Sequence, residues 1–361
     1  MNILSLSFEG DVLKYGVFSE GGLLVVQQGQ VAGFRTEHTV GRTLQSVLVR
    51  VAATCDENIS GLTIDAIALH VAFGGDKFSE PVVVALKTVE CLNSMICEAP
   101  MHIPPLLELI SSCFRDLPGC PVVLFFETSF FVGLPECERL YAINPDLQTG
   151  FGLRRYGYHG IFHEAACASL MCDSVRSERI ISICLEPHAE IAAVVAGSPV
   201  MVSGGATPLE GLPGDTSSGE IDSGLLLSLS RMERWGPEQI NTLLTQRSGL
   251  TGLVGSSVTL PDVMLSEQEN VRLAREVMQY RILRQVGMAL AAMNGFDRIV
   301  FSGRYARVGR EIASWLVPKL PFSEKSETVL WSCFETSLMQ IMAAQTLKVM
   351  AAVPSACTQE M

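Results

Sequence analysis

Residues 180–205 read IISICLEPHAEIAAVVAGSPVMVSGG, and they decide the fold because residues 3–29, ILSLSFEGDVLKYGVFSEGGLLVVQQG, are written to the same plan. Each stretch has an apolar strand, a short polar turn, a second apolar strand, a Gly-containing turn and a third apolar run. One such stretch at the head of each half-chain predicts a duplicated α/β domain with a cleft between the halves. In nucleotide-binding domains laid out this way, the first turn cradles phosphate through backbone N–H groups and small side chains. Here the turns carry Glu9 and Asp11 in the first stretch, and Glu186 and Glu190 in the second. A carboxylate aimed at a phosphate repels it unless a cation lies between them. These acids show no coordination spacing, so both turns read as solvated rather than as a metal site.

Outward from these stretches, strand and helix signals alternate. DAIALHVAFGG (65–75) reads as a buried strand ending in a glycine turn, and PPLLELISSCFRDL (104–117) as a helix opened by proline. PVVLFFETSF (121–130) is apolar on both faces, as a buried strand must be. The segment 161–171 reads as a helix leading into the second half. There, 236–250 reads as a helix closing at Gly249, 266–295 as a long amphipathic helix, and 296–316 as strand, glycine turn and helix. A last helix is expected from about Glu335 to Val353. No connection is low-complexity, so two packed lobes are expected, 1–165 and 166–334, with 335–361 forming a C-terminal helix and tail that returns to the first lobe.

At 361 residues the chain can bury two cores, and its net charge of -12 argues against nucleic acid as a partner. No apolar run reaches the ~18 residues of a membrane span, and the richest stretch, 122–134, is broken by Glu127. The 11 cysteines are scattered, without a C-x-x-C pair or Cys/His ligand spacing, and several sit in apolar segments. They read as small hydrophobes in a reducing compartment. With no basic lead before a long apolar run at the N-terminus, a cytoplasmic location is expected.

Several ordered segments resemble the acetate kinase family of carboxylate kinases. HVAFGGDKFSEPVVV (70–84) is similar to that family's HGGEKF segment, and EAPMHIPPLLELI (98–110) to its APLHNPP region. FETSFFVGLPECERLYAIN (126–144) resembles FDTAFHxxMP, and RRYGYHGIFH (154–163) resembles RRYGFHGTSH. TPLEGLPGDTSSGEIDSG (207–224) is similar to TPLEGLPMGTRSGDIDPG, and RSGLTGLVGSS (247–257) to the SGLLGISG segment. Matches of this length in one order are far more specific than a lone glycine motif. The resemblance implies an actin-like, sugar-kinase-like fold (the ASKHA, ribonuclease H-like duplication), two-lobed with a central cleft. It also implies a homodimer, and phosphate transfer between ATP and a short carboxylate with Mg²⁺.

Carried over residue by residue, the resemblance divides the site in two. On the acyl side, His159 stands in the catalytic-histidine position and Glu127 stands where the family has a catalytic Asp. His102 is retained beside Met101, and Val71, Met101, Tyr158 and Pro208 fall where the family lines its acyl pocket. On the nucleotide side, His70 and Ser217 take the places of two arginines, and a serine in place of arginine removes a permanent charge and five donors. Protonated His70 could stand in for an arginine, but an ordinary histidine is mostly uncharged at neutral pH. Ser7 replaces an Asn, EGDV (9–12) replaces GSSS, and CLEPHAE (184–190) replaces HLGNGSS, with a proline that removes a donor. The adenosine segment has become SSVTLPDV (256–263), and the last glycine motif has become GRYARV (303–308), keeping Gly303. Glu335 falls near a family metal-ligand Glu.

Each residue has a plainer reading: structural, hydrogen-bonded histidines for His102 and His159, and surface ion pairs for Arg304, Arg307 and Arg310. Glu127, inside an apolar strand, needs a partner. The expected function is that of an acetate-kinase-like protein with the acyl side kept and the ATP/Mg side degenerate. It would be catalytically impaired, or a binding or regulatory homologue, and would need ATP and Mg²⁺ only if the family activity survives. The alternative is an active carboxylate kinase forming an acyl phosphate with an unusual nucleotide or phosphoryl donor. Expected partners are a short-chain carboxylate or acyl phosphate and a second copy of the chain, with neither nucleic acid nor membrane.

Overall fold

The computed structural model describes residues 1–19, 24–33, 37–53, 63–100, 102–146, 148, 152–170, 178–320 and 330–352. The chain forms two compact units, one from Met1–Val132 together with the segment beginning at Ser337, the other from Gly133–Thr336. The division falls before the expected boundary at residue 165 because the helix Gly160–Leu170 packs on strands of the second unit.

In the first unit, β1 (Ile3–Glu9), β2 (Val12–Ser19) and β3 (Leu24–Ala32) form an antiparallel meander. β4 (Ala66–Val71) then pairs parallel with β1, and β6 (Val122–Phe126) pairs parallel with β4. The short β5 (Val82–Val83) closes the edge, giving the order β3-β2-β1-β4-β6-β5. The centre of this sheet is dry. Ile3, Leu4, Leu6, Ile67, Leu69 and all of Val122–Phe126 are buried, as a strand covered on both faces requires. The helix Leu338–Ala352 returns to pack on β1 and β4, and the Ser5 hydroxyl on β1 donates to the Met339 carbonyl at 2.9 Å.

The second unit repeats the plan. β7 (Arg179–Cys184), β8 (Glu190–Val195) and β9 (Ser198–Val202) form the meander, and β10 (Arg298–Ser302) and β11 (Leu330–Cys333) add parallel strands on the other side of β7. The order is β11-β10-β7-β8-β9. Counted from each unit's first strand and leaving aside the short antiparallel edge strand β5, both sheets run 3-2-1-4-5, with the first three antiparallel and the last two parallel. This shared order is the duplication announced by residues 3–29 and 180–205. The long helix Glu269–Met293 covers this sheet with Met278, Ile282 and Val286, which join Ile181, Ile183, Ile299 and Phe301 in one core.

One helix boundary differs from expectation. The helix expected to close at Gly249 ends at Gln246, and Gly249 instead opens the next helix, Gly249–Val254. Gly249 has φ +62°, and a Cβ there would lie 2.3 Å from the Gly214 carbonyl oxygen. The glycine marks a close backbone approach rather than a C-terminal stop.

Candidate functional site

The site residues fall into one cluster in each unit. In the first, parallel pairing sets β1, β4 and β6 side by side: Leu6 pairs with Leu69, and Val71 with Phe126. The residues at the strand ends then converge. The Ser7 hydroxyl lies 3.0 Å from His70 Nδ1, and His70 Nε2 lies 2.8 Å from Glu127 Oε1. Glu127 also donates its backbone N–H to the Val71 carbonyl at 2.9 Å, so it continues the β6 ladder beyond the strand. The partner that the buried Glu127 needs is thus His70. His102 stands at the N-terminus of the helix Ile103–Asp116. Burial first, and the neighbouring His70 second, lower its pKa, so His102 is neutral at pH 7. Val71 is buried at the end of β4, and Met101 lies outside the described residues.

In the second unit, His159 adopts φ +54°, a left-handed conformation uncommon for a residue with a side chain, immediately before the helix Gly160–Leu170. Its Nε2–H donates to the His188 carbonyl at 2.8 Å, which fixes the ring. His188 Nδ1 lies 2.9 Å from the Ser217 hydroxyl. Burial, and then His159, push the His188 pKa down to about 4, so this pair carries no positive charge at neutral pH. The Tyr158 hydroxyl donates to the Ala206 carbonyl at 3.0 Å, while Pro208 is exposed.

The second polar turn departs most from expectation. Its carboxylates are not solvated: Glu186 is 7% exposed and Glu190 1%. They are buried because backbone donors of the chain receive them. Glu186 accepts the Arg304 backbone N–H at 2.6 Å and its Nε–H at 2.7 Å. Glu190 accepts the Tyr158 backbone N–H on both oxygens at 3.0 Å. A third carboxylate, Asp215, accepts the Leu260 N–H at 2.8 Å and the Tyr305 hydroxyl at 3.0 Å. Burial raises the Asp215 pKa, and these two hydrogen bonds hold it back. The first turn does match the solvated reading. Glu9 is exposed and pairs with Lys14.

Gly303 keeps its turn, with φ +87°, and the following Arg304 is the residue Glu186 engages. Glu335 lies between β11 and the last helix and pairs with Arg307 at 2.7 Å. Among the described residues, no group of three or more His, Cys, Asp or Glu could hold a metal ion. Among the same residues, no helix is long and apolar enough to cross a membrane. Sequence reading did not connect Ser7 to His70, nor single out His163, which is fully buried with Nδ1 2.8 Å from the Ser182 hydroxyl. The i, i+4 spacing of His159 and His163 was the available signal for the second.

Two sheets that share the order 3-2-1-4-5 once the short edge strand β5 is set aside, with the candidate residues near the carboxyl ends of their strands, define a duplicated α/β protein of the actin-like, sugar-kinase-like class. The chain belongs to the acetokinase family, whose family model matches residues 20–319. It is 32% identical over 292 residues to an acetate kinase of Thermosipho africanus, covering 78% of this chain and 72% of that protein. It is also 32% identical to an acetate kinase of Dictyoglomus turgidum, over 84% of this chain and 81% of that one. The crystal structure of Porphyromonas gingivalis acetate kinase superposes with TM-score 0.82 at 26% identity, covering 97% of this chain and 99% of that one.

Proposed function

We propose that this protein keeps the carboxylate-handling side of an acetokinase and has lost ordinary ATP chemistry, so that it binds a short-chain carboxylate or acyl phosphate. The observation that carries this reading is Glu186. Its carboxylate occupies the backbone N–H beside the Gly303 turn and the guanidinium that follows it, donors that an anionic nucleotide would need. Asp215 supports it, because the first N–H of the helix Leu260–Leu265 is already used by a carboxylate. So does the neutral His188–Ser217 pair, where phosphoryl transfer calls for fixed positive charge.

The residues present therefore do not fit MgATP. A polyphosphate would have to displace the buried Glu186 and Glu190 and the half-buried Asp215 from their donors while meeting their negative charge. On the acyl side, His70, His102 and Glu127, with Val71 nearby, are the groups the first unit offers to a ligand, and His159, with Tyr158 next to it in sequence, is what the second unit offers. A second copy of the chain is the macromolecular partner we propose, and a reducing cytoplasm the compartment, in keeping with the free cysteines.

Titration calorimetry of the purified protein with MgATP to millimolar concentration tests the reading. No saturable heat is expected for wild type. Saturable binding by wild type would overturn it and turn the search to a carboxylate kinase with an unusual phosphoryl donor.

A further inference from the structure

Ser7, His70 and Glu127 lie near the carboxyl ends of three neighbouring parallel strands, Glu127 just beyond its strand, and form one continuous hydrogen-bonded chain, 3.0 Å from hydroxyl to ring and 2.8 Å from ring to carboxylate. A carboxylate oxygen only accepts, so His70 Nε2 carries the proton it shares with Glu127, and Nδ1 is left to accept the Ser7 O–H. Both ring nitrogens are engaged, which fixes tautomer and orientation together. Hydroxyl, imidazole and carboxylate in this order are what turns a serine into a nucleophile. The chain also stands at the carboxyl ends of its strands, the edge at which parallel sheets receive ligands.

Two comparisons within the molecule separate this cluster from ordinary packing. His163 has the same neighbours by type, the Ser182 hydroxyl and a Glu190 oxygen at 3.5 Å, but it is fully buried and no substrate can reach it. The His70 side chain is 13% exposed. Ser5, two residues before Ser7 on the same strand face, spends its hydroxyl on a backbone carbonyl, whereas that of Ser7 goes to an imidazole.

We propose that Ser7 is a nucleophile, with His70 as its general base and Glu127 as the residue that positions and charge-balances the ring, and that it takes a short-chain acyl group from an acyl phosphate and delivers it to water. The choice of acyl phosphate rests on the acyl-side reading above, while the relay does not. In the first step the Ser7 oxygen bonds to the acyl carbon as its proton passes to His70 Nδ1. The carbon–oxygen bond to phosphate then breaks, and the leaving phosphate takes that proton. In the second step water attacks the acyl-serine, gives a proton to His70 Nδ1, and the proton returns to the Ser7 oxygen as the carboxylic acid departs. The net reaction is acyl phosphate and water to carboxylic acid and inorganic phosphate, with no change of oxidation state.

Full-length protein would be treated with a fluorophosphonate probe and, separately, with acetyl phosphate, followed by peptide mass mapping and a phosphate-release assay. Fluorophosphonate is expected on Ser7, falling at least ~10-fold in His70→Gln, and phosphate release is expected to fall at least ~100-fold in Ser7→Ala. Ser7→Cys, which keeps the shape, is expected to trap acetyl as a thioester on the Ser7 peptide. Glu127→Gln is expected to shift the acidic limb of the kcat/KM profile, where His70 becomes protonated, to lower pH, a change that a packing role would not produce. Labelling of Ser7 without release of phosphate from acetyl phosphate would overturn the substrate and keep the relay. Absence of label on Ser7, with phosphate release equal in wild type, Ser7→Ala and Ser7→Cys, would overturn the relay itself.

Discussion

A carboxylate oxygen satisfies a backbone N–H much as a phosphate oxygen does, and Glu186 uses this equivalence to fill a donor site from within. The buried histidines follow the same logic of desolvation. His163 is held down to about 3, by burial and then His159, and His188 to about 4, by the same causes in the same order. Both start from 6.5, so between pH 6.5 and 4 the unfolded chain binds protons that the folded chain refuses. Their stabilising contribution is fully present above pH 6.5 and is lost as the pH falls through that window, at about 1.4 kcal/mol per pH unit for each ring. Urea unfolding is expected to show a clear drop in stability from pH 7 to pH 5, with a shallower drop in His163→Gln. Equal slopes for the two proteins would show that His163 is charged in the folded state.

At the scale of elements, the site depends on turns that bring backbones into contact. β10 ends at Ser302, whose carbonyl accepts the Leu185 N–H at 2.7 Å, and Tyr305 returns its N–H to the Leu185 carbonyl at 2.9 Å. Gly303 joins these two bonds at φ +87°, and a Cβ there would lie 2.5 Å from the Leu185 oxygen. Gly303→Ala therefore combines a left-handed alanine with a backbone clash, and a loss of about 2 kcal/mol or more is expected in urea unfolding. A loss under about 0.5 kcal/mol would mean that the turn yields freely. The helix Leu260–Leu265 is fixed similarly, by a capping box between Thr259 and Asp262 and by Asp215 from a distant segment. Asp215→Ala would release the Leu260 N–H and the Tyr305 hydroxyl and leave the capping box in place.

At the scale of the whole molecule, one topology is used twice, and the second copy carries an apolar helix with no core of its own. Ser223–Met232 contributes no buried residue to its unit, while Leu225, Leu227 and Met232 are 49%, 63% and 82% exposed. An exposed apolar helix of this kind is where the second copy proposed above would pack. Light scattering after size exclusion is expected to give the mass of two chains, and Leu227→Lys is expected to shift it toward one. A monomer at micromolar concentration would remove this proposal. The formal charge of -12 per chain opposes such pairing at long range, so the dimer should strengthen as salt rises.

The duplication was legible in residues 3–29 and 180–205 because alternation of apolar and polar residues, and the turns between them, are local properties of the chain. The buried strands and the long helix followed for the same reason: period and length are written in consecutive residues. The helix end near Gly249 was misread because glycine as a stop and glycine as a point of close approach look alike until Gly214 is brought beside it. The acids of residues 184–190 looked like surface groups because nothing nearby in sequence supplies their donors. Glu186 meets Arg304 across 118 positions and Glu190 meets Tyr158 across 32. The Ser7–His70–Glu127 chain was hidden likewise, its members 63 and 57 residues apart. Sequence by itself determined the elements, their duplication and the family; tertiary structure alone decided which polar groups meet, since burying a carboxylate or orienting an imidazole depends on donors that only folding brings within 3 Å.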